Sequence, residues 1–588
     1  MKVDLAKWKI MEYISAAIRG EGGSHMCAGS LNAMVTGLGF VRAFKGVTAL
    51  AGKVGSRVFF STDQSYAGLG TATTTGTGSV FNARNLLCYI GAGQVYFAGL
   101  ALAGIIASST LSFVKKSGGV YAAGATTGPF QAGHAQPSAP TIIAKSAPSA
   151  GQTEMTGVVT VVIWRVSSYT GQVSLKSLPS NVLTLTNQSV IVQMPLADSN
   201  GQTHWGIGVV RVGFPDLGNH YELPTSLGGE VAESALTTID GYTRAVEISW
   251  TNGALIGQSL APDKAFPPPA GQFAGVMNDT LWLESDGIIY VGEPGQIGSF
   301  PPSNSLFPNE PAVHYLRWGD GLTLRFGKNS MGALSYVGGS PALEYQAIWE
   351  NLGISLPQNV ALGANGRLLI WLDKPAVVEN GVDPDYEYAT KVLPDFAGWD
   401  AQTSSAPVCV GYDPKGQYEV WCYQKKVMAK FVPRDAWCAP IDLTGKVSGN
   451  IVSAFTNERQ LYLCTSDGAA LTIYKFDVGS GSVMVVQTDD QRGNGYGATI
   501  SEVQVQVRAD NTANPVKVEV IKNFNDASPI QVFNSNPAQT GPVELPITGK
   551  NIINVNHHAM RVTMTSTGGD AGVDLIATRG AANEVVTV

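Results

Sequence analysis

Five times after residue 270 the chain writes the same phrase: an apolar run, a short polar turn, a second apolar run. The runs TLWLESDGIIYVG, LTLRFGKNSMGALSYVGG, RLLIWLDKPAVV, YEVWCYQKKVMAKFV and LYLCTSDGAALTIYKFD begin at Thr280, Leu322, Arg367, Tyr418 and Leu461, about 42, 45, 51 and 43 residues apart. Four short antiparallel strands consume about 40 to 50 residues, and the sheet they make cannot bury both of its faces alone. Such sheets stack around a ring, so the period predicts the blades of a β-propeller. Trp282, Tyr290, Tyr336, Trp371, Trp421 and Tyr474 recur in these runs, where flat side chains fill the space between blades. Paired strand-like runs near residues 56 to 99, SRVFFSTDQSYAGLG and ARNLLCYIGAGQVYFAG, bring the expected blade count to six or seven.

The rest of the chain divides around this array. Residues 1–135 are expected to hold an N-terminal helix, with Trp8, Met11, Ile14 and Ile18 at helical spacing, and the first propeller hairpins. Asp4, Lys7, Lys9 and Glu12 interrupt any apolar core of a secretory signal. Residues 136–228 open on the Pro, Ser and Ala-rich join QPSAPTIIAKSAPSAGQ and continue as alternating strands, with Trp164 placed to fill a sandwich core. The Pro-bounded start, the early-strand Trp and SLPSNVLTLT resemble a fibronectin type III domain. Residues 229–490 carry the main blades, entered through the stiff FPPPAG connector at 266–271. Residues 491–588 switch to strict apolar/polar alternation, as in TISEVQVQVRADNTANPVKVEVIKN, and predict a C-terminal β-sandwich. The fold class expected is therefore all-β: a propeller with an inserted fibronectin III-like sandwich and a C-terminal sandwich.

Charged residues make up only 14% of the chain, against about 25% in an ordinary soluble domain, so Ser, Thr, Asn, Gln and Gly must cover much of the surface. That suits a protein held in an assembly or exposed outside cells. The net charge of −7 and the lack of a Lys/Arg block argue against gripping phosphates, and a weakly acidic surface would let DNA slide past. Cys27, Cys88, Cys409, Cys422, Cys438 and Cys464 show no CxxC pair and read as buried thiols. The uncharged stretch from Leu86 to Val114 is long enough to cross a bilayer, yet Gly91, Gly93, Gly99 and Gly104 break it. It reads better as buried strands, and no stable membrane span is expected.

No catalytic, cofactor-binding or metal-binding residue is assigned. TSDGAALT and DPKGQYEVW only approach the Asp-box turn of sialidase-type propellers. His557 and His558 are adjacent, so on a strand they face opposite sides and cannot share one metal. Glu284 with Asp286, or a pair from Asp383, Asp385, Asp395 and Asp400, would serve as glycosidase acid and base only if folding brought two within roughly 5 to 10 Å. The segment VDPDYEYATKVLPDFAGWD is oxygen-rich enough for calcium but lacks the Gly and Glu placements of an EF-hand. There is no GxxxxGK[ST] and no GxSxG.

GLGFVRAFKGVTAL, residues 37–50, followed directly by hairpins, resembles the opening of tail propeller proteins of short-tailed bacteriophages, in which a glycine-rich phrase ending in F-x-G leads into the first blade. The order of blades over 280–478 and the terminal sandwich are similar to the tail-tube, nozzle and DNA-stabilisation proteins of such phages. The resemblance implies a non-enzymatic virion protein, made in the host cytoplasm, that forms a six-fold homo-oligomeric ring in the tail. Its partners would be a portal-proximal adaptor and fibres or spikes, and genomic DNA would be retained by its channel and then ejected without specific binding. The rival readings are a host-binding adhesin, as fibre or spike, and a polysaccharide-cleaving propeller.

Overall fold

The computed structural model describes residues 3–8, 12–15, 25–27, 29–37, 41–55, 78–83, 86–91, 95–96, 103–105, 108–117, 120–121, 128–170, 172–213, 219–318, 321–379, 383–457, 459–468, 471–479, 481–492 and 498–582. The described chain is all-β and is built from many small sheets, nearly all antiparallel.

Six of these sheets follow one another along the chain. Sheet 1 holds Gly78–Ala83, Leu86–Gly91 and Ser108–Ser117, with the short strands Val120–Tyr121 and Phe130–Gln131 on the last of them. Sheet 2 runs from Phe273–Met277 to Ser305–Leu306, sheet 3 from His314–Arg317 to Leu343–Glu350, and sheet 4 from Val360–Leu362 to Pro375–Val378. Sheet 5 spans Val408–Asp413 to Ile441–Asp442. Sheet 6 joins Asn450–Asn457, Gln460–Ser466 and Leu471–Phe476 to a strand from the far end of the sequence, Val47–Gly55.

Alternation along each strand decides which neighbour a side chain meets. Leu281 and Leu283 enter the core shared with sheet 1, whereas Trp282 between them enters the core shared with sheet 3. In sheet 4, Leu368 and Ile370 pack with sheet 3, and Leu369 and Trp371 pack with sheet 5. Each of these sheets is thus buried on both faces. This is why its strands read as near-continuous apolar runs and not as half-polar ones. The stretch from Leu86 follows the same logic: Leu86–Gly91 is wholly buried and pairs with Ser108–Ser117 in sheet 1. No helix among the described residues is long and apolar enough to cross a membrane.

A two-sheet sandwich lies between sheets 1 and 2. Thr141–Lys145, Met155–Val159, Leu183–Gln193, Thr237–Ile239 and Tyr242–Ile248 form one sheet; Val161–Val166, His204–Val209, Tyr221–Glu222 and Glu230–Ala232 form the other. Its pairing therefore continues to Ile248, beyond the limit at 228 expected from the sequence. Trp205 and Trp250 fill the core between the sheets. Trp164, expected there, is buried on the opposite face of its strand, against Val162, Ala261 and the bare backbone of Gly206. A Cβ on Gly206 would lie 2.1 Å from the indole, so the glycine opposite is what makes room for the ring.

The two chain ends build a second sandwich together. One sheet contains Val483–Gln487, His557–Thr565, Val516–Lys522 and Ile530–Ser535; the other contains Ala33–Val35, Val41–Ala43, Gly572–Ala582, Ala498–Ala509 and Gly541–Val555. Burial alternates along Ala498–Ala509, as its sequence predicts. Two expectations fail at the N-terminus. Val3–Trp8 is not helical but a strand paired with Gly572–Ala582, and Glu12–Tyr13 pairs with His25–Met26. Tyr13, Ile14 and Ser15 are buried in succession, so this segment is extended and covered on both sides, which erases period-2 alternation and leaves a false helical spacing. Met11 and Ile18 lie outside the described residues. Val3–Trp8, Ala33–Val35 and Val41–Ala43 also belong to the C-terminal sandwich, not to propeller hairpins.

Candidate functional site

The second strands of neighbouring sheets carry one arrangement twice. In the first copy Glu284, from sheet 2, receives Nε and Nη2 of Arg325 from sheet 3, each at 2.9 Å. It also accepts the Tyr315 hydroxyl and the Ala312 backbone N–H, the latter at 2.7 Å. In the second copy Glu419, from sheet 5, receives Nε and Nη2 of Arg367, at the entry to sheet 4, at 2.6 and 2.5 Å. The Tyr388 hydroxyl donates to it at 2.6 Å and the Ala364 N–H at 3.1 Å. Each carboxylate thus has two guanidinium bonds, a phenol and a backbone amide, which satisfies all of its acceptor directions away from water.

The copies differ in what lies beside them. Arg325 is fully buried, and its Nη2 also donates to the Glu310 carbonyl, so the first copy is sealed. Arg367 retains 16% side-chain exposure, and its Nη1 reaches Glu379 at 2.5 Å. There a cavity of about 290 Å³ opens, lined by Arg367, Glu379, Asp385, Glu387, Tyr388, Lys391, Lys430, Asp435 and Trp437 among others. The Lys430 ammonium sits 3.7 Å above the Tyr388 ring and 5.6 Å from that of Trp437, and Asp435 meets it at 2.6 Å. Burial lowers the Lys430 pKa below that of an ordinary lysine, with Asp435 opposing the shift. Burial, and next the charge of Glu419, push the Tyr388 phenol well above its usual range, so it stays protonated and donates to Glu419.

Local sequence explains the wall of this cavity. Glu387–Phe396 forms a 3-10 helix whose buried side chains are Tyr388, Ala389, Val392 and Phe396, while Glu387 and Lys391 lie on its exposed side. Phe396 packs edge-on against Trp399 with ring centroids 4.7 Å apart, and Trp399 neighbours Tyr423 at 5.6 Å. Lys391 reaches back to Glu12 of the N-terminal segment at 2.8 Å.

Among the carboxylates singled out from the sequence, Glu284 is locked in the sealed copy and Asp286 is exposed in the adjoining turn at φ +48°. Asp385 lines the cavity, Asp400 lines a separate depression with Asp373 and Phe396, Asp395 meets the Tyr13 hydroxyl at 3.5 Å, and Asp383 is exposed. Of the cavity's other carboxylates, Glu387 lies in the oxygen-rich segment VDPDYEYATKVLPDFAGWD with Asp385, whereas Glu379 and Asp435 come from separate segments and no local spacing announces them. His558 is buried against the Thr578 hydroxyl at 2.9 Å, whereas His557 is half-buried at the Phe524 ring. No group of three or more His, Cys, Asp or Glu able to hold a metal occurs among the described residues. All six cysteines are buried and form no disulfide with one another, and burial pushes the Cys88 thiol up to about 12.

No protein-family model and no curated protein matches the chain. Among solved structures, an exo-β-1,3-galactanase from Phanerochaete chrysosporium with galactose is 10% identical at a TM-score of 0.17, covering 66% of this chain and 94% of that one. A structure of BBS1N in complex with ARL6DN is 9% identical at a TM-score of 0.23, covering 57% and 96%. One of the mitotic checkpoint complex is 9% identical at 0.23, covering 57% and 94%. Overlaps this loose carry no argument about what the chain does.

Proposed function

We propose that this chain is a structural subunit of the tail of a short-tailed bacteriophage, forming the nozzle or distal tube through which DNA is retained and then ejected. In this reading the six sheets are the blades of a propeller. The sandwich of residues 141–248 is its fibronectin III-like insertion, and the interlaced terminal sandwich is its second domain. The observation that carries the proposal is the interlacing. Val47–Gly55 completes the sheet of Leu471–Phe476, and Arg42 pairs with Asp477 beside it, so the two ends of the chain are tied into one body. A part that transmits force from an adsorbed fibre needs such a body, since no terminal strand can peel away alone. The sequence resemblance over residues 37–50 and the uncharged polar surface point the same way.

Six copies would close a ring by heterologous contacts around an axial channel. The subunit would be made in the host cytoplasm and reside in the virion tail, with an adaptor on one side and fibres or spikes on the other, and without chemistry of its own. Mass photometry followed by electron microscopy of the purified chain tests this. A ring of about six with an axial hole is expected; a stable monomer that also fails to join tails supplied with the adaptor refutes it. Lumen residues mapped as mainly Lys and Arg would refute the passive passage of DNA. A host-binding adhesin is the second reading, favoured by the exposed Leu178 and Leu196 of the inserted sandwich and Ile256 just after it.

A further inference from the structure

The sealed and open copies of the Arg–Glu–Tyr arrangement differ by a cavity that the arrangement itself does not require. Glu284, Arg325 and Tyr315 lock two sheets with side chains that are fully or almost fully buried. Around Glu419, Arg367 and Tyr388 the chain instead leaves about 290 Å³ and surrounds it with further charged groups. This volume is near the lower end of small-molecule sites, which run from about 300 to 1,000 Å³. We propose that the cavity between sheets 4 and 5 binds a neutral sugar residue.

The charge pattern selects that class. Every cation lining the cavity already has a carboxylate: Arg367 has Glu419 and Glu379, Lys430 has Asp435, and Lys391 has Glu12. A phosphate or an acidic sugar would have to compete with these partners and would meet Asp385 and Glu387 besides. A hydroxyl faces no such conflict. It donates to a carboxylate with one atom and accepts from Arg or Lys at the same oxygen, so a ring bearing several hydroxyls engages paired charges without separating them. Asp385 keeps spare acceptor capacity, since its Oδ1 takes only the Glu387 N–H at 2.8 Å in a surface turn. Glu387 and Lys391 stand on the exposed side of the same short helix, at the mouth. A free metal cation is a poorer occupant, because three ammonium or guanidinium groups line the same small space.

The test uses the full-length chain and saturation-transfer difference NMR with glucose, galactose, mannose and N-acetylglucosamine as separate probes, alongside calcium chloride and inorganic phosphate followed by the shift in thermal midpoint. Asp385 and Glu387 are exposed, so D385N and E387Q leave the fold intact. At least one sugar is expected to bind at millimolar concentration. The double variant D385N/E387Q should weaken it about tenfold or more, and E344Q, on the exposed edge of sheet 3, should leave it unchanged. Failure of all four sugars to bind, binding unaffected by D385N/E387Q, or a midpoint shift with calcium or phosphate and none with sugar would each overturn the proposal. The tail assignment stands or falls separately, on the ring and its assembly.

Discussion

Replacing Arg325 by Met removes three bonds, two to Glu284 and one to the Glu310 carbonyl. Glu284 would be left 3% exposed, with only the Tyr315 hydroxyl and the Ala312 N–H to hold its charge. Breaking a buried pair from one side costs about 3–5 kcal/mol, because the remaining charge stays desolvated. E284Q should cost a similar amount by stranding Arg325. The double variant R325M/E284Q strands neither charge, and Gln can still accept from Ala312, so its cost should be about 2 kcal/mol and far below the sum. A chain this large does not unfold in one step, so the assay is native-state hydrogen exchange on peptides covering Thr280–Ser285 and Leu322–Phe326. A loss of about 4 kcal/mol lowers protection there by roughly a thousandfold. Protection within fivefold of wild type in R325M, or additive losses in the double variant, would refute the view that this pair locks sheets 2 and 3.

The open copy should behave differently: R367M is expected to cost about 1–3 kcal/mol, since the space left by the guanidinium would join the cavity and admit water to the otherwise buried Glu419, and hydrogen exchange over Tyr418–Tyr423 measures it. Asp413 is buried, and its pKa is raised to about 6 by desolvation and then by Asp477. A carboxyl raised in the folded state contributes stability that is present below pH about 4 and lost as pH rises through 6, up to about 3 kcal/mol. D413N should therefore raise the thermal midpoint at pH 7.5 and not at pH 4; equal shifts at both would contradict the assignment. His558 titrates in the opposite sense. Burial lowers it from 6.5 to about 4, so its contribution is present above pH 6.5 and lost as pH falls through 4, and exchange in His557–Thr565 should accelerate across that window in wild type but less in H558Q. Deleting residues 1–55 should expose the edge of Leu471–Phe476 and yield aggregates by light scattering; a soluble monomer would show that Val47–Gly55 is dispensable.

The repeat of apolar run, turn and apolar run was enough to specify one hairpin in each of sheets 2 to 6, because hairpin pairing is local and turn chemistry marks its ends, but not the flanking strands such as Phe273–Met277, His314–Arg317 and Val408–Asp413. Alternation likewise marked Ala498–Ala509, which has one face in a core and one less covered. The sequence could not assign Val3–Trp8, whose partner lies more than five hundred residues away at Gly572–Ala582, nor the segment at Tyr13, Ile14 and Ser15, which is buried in succession and so carries no alternation. Nor could it separate Trp164 from Trp205 and Trp250, as the face a tryptophan takes depends on which sheet its strand joins. The candidate site is the extreme case. Glu284 and Asp385 were visible as carboxylates, but Arg325, Arg367, Glu419 and Lys430 gain their meaning only when adjacent sheets stack. Local sequence determines which segments become strands; contacts between distant strands, formed only on folding, decide which charges are buried together and where a cavity is left.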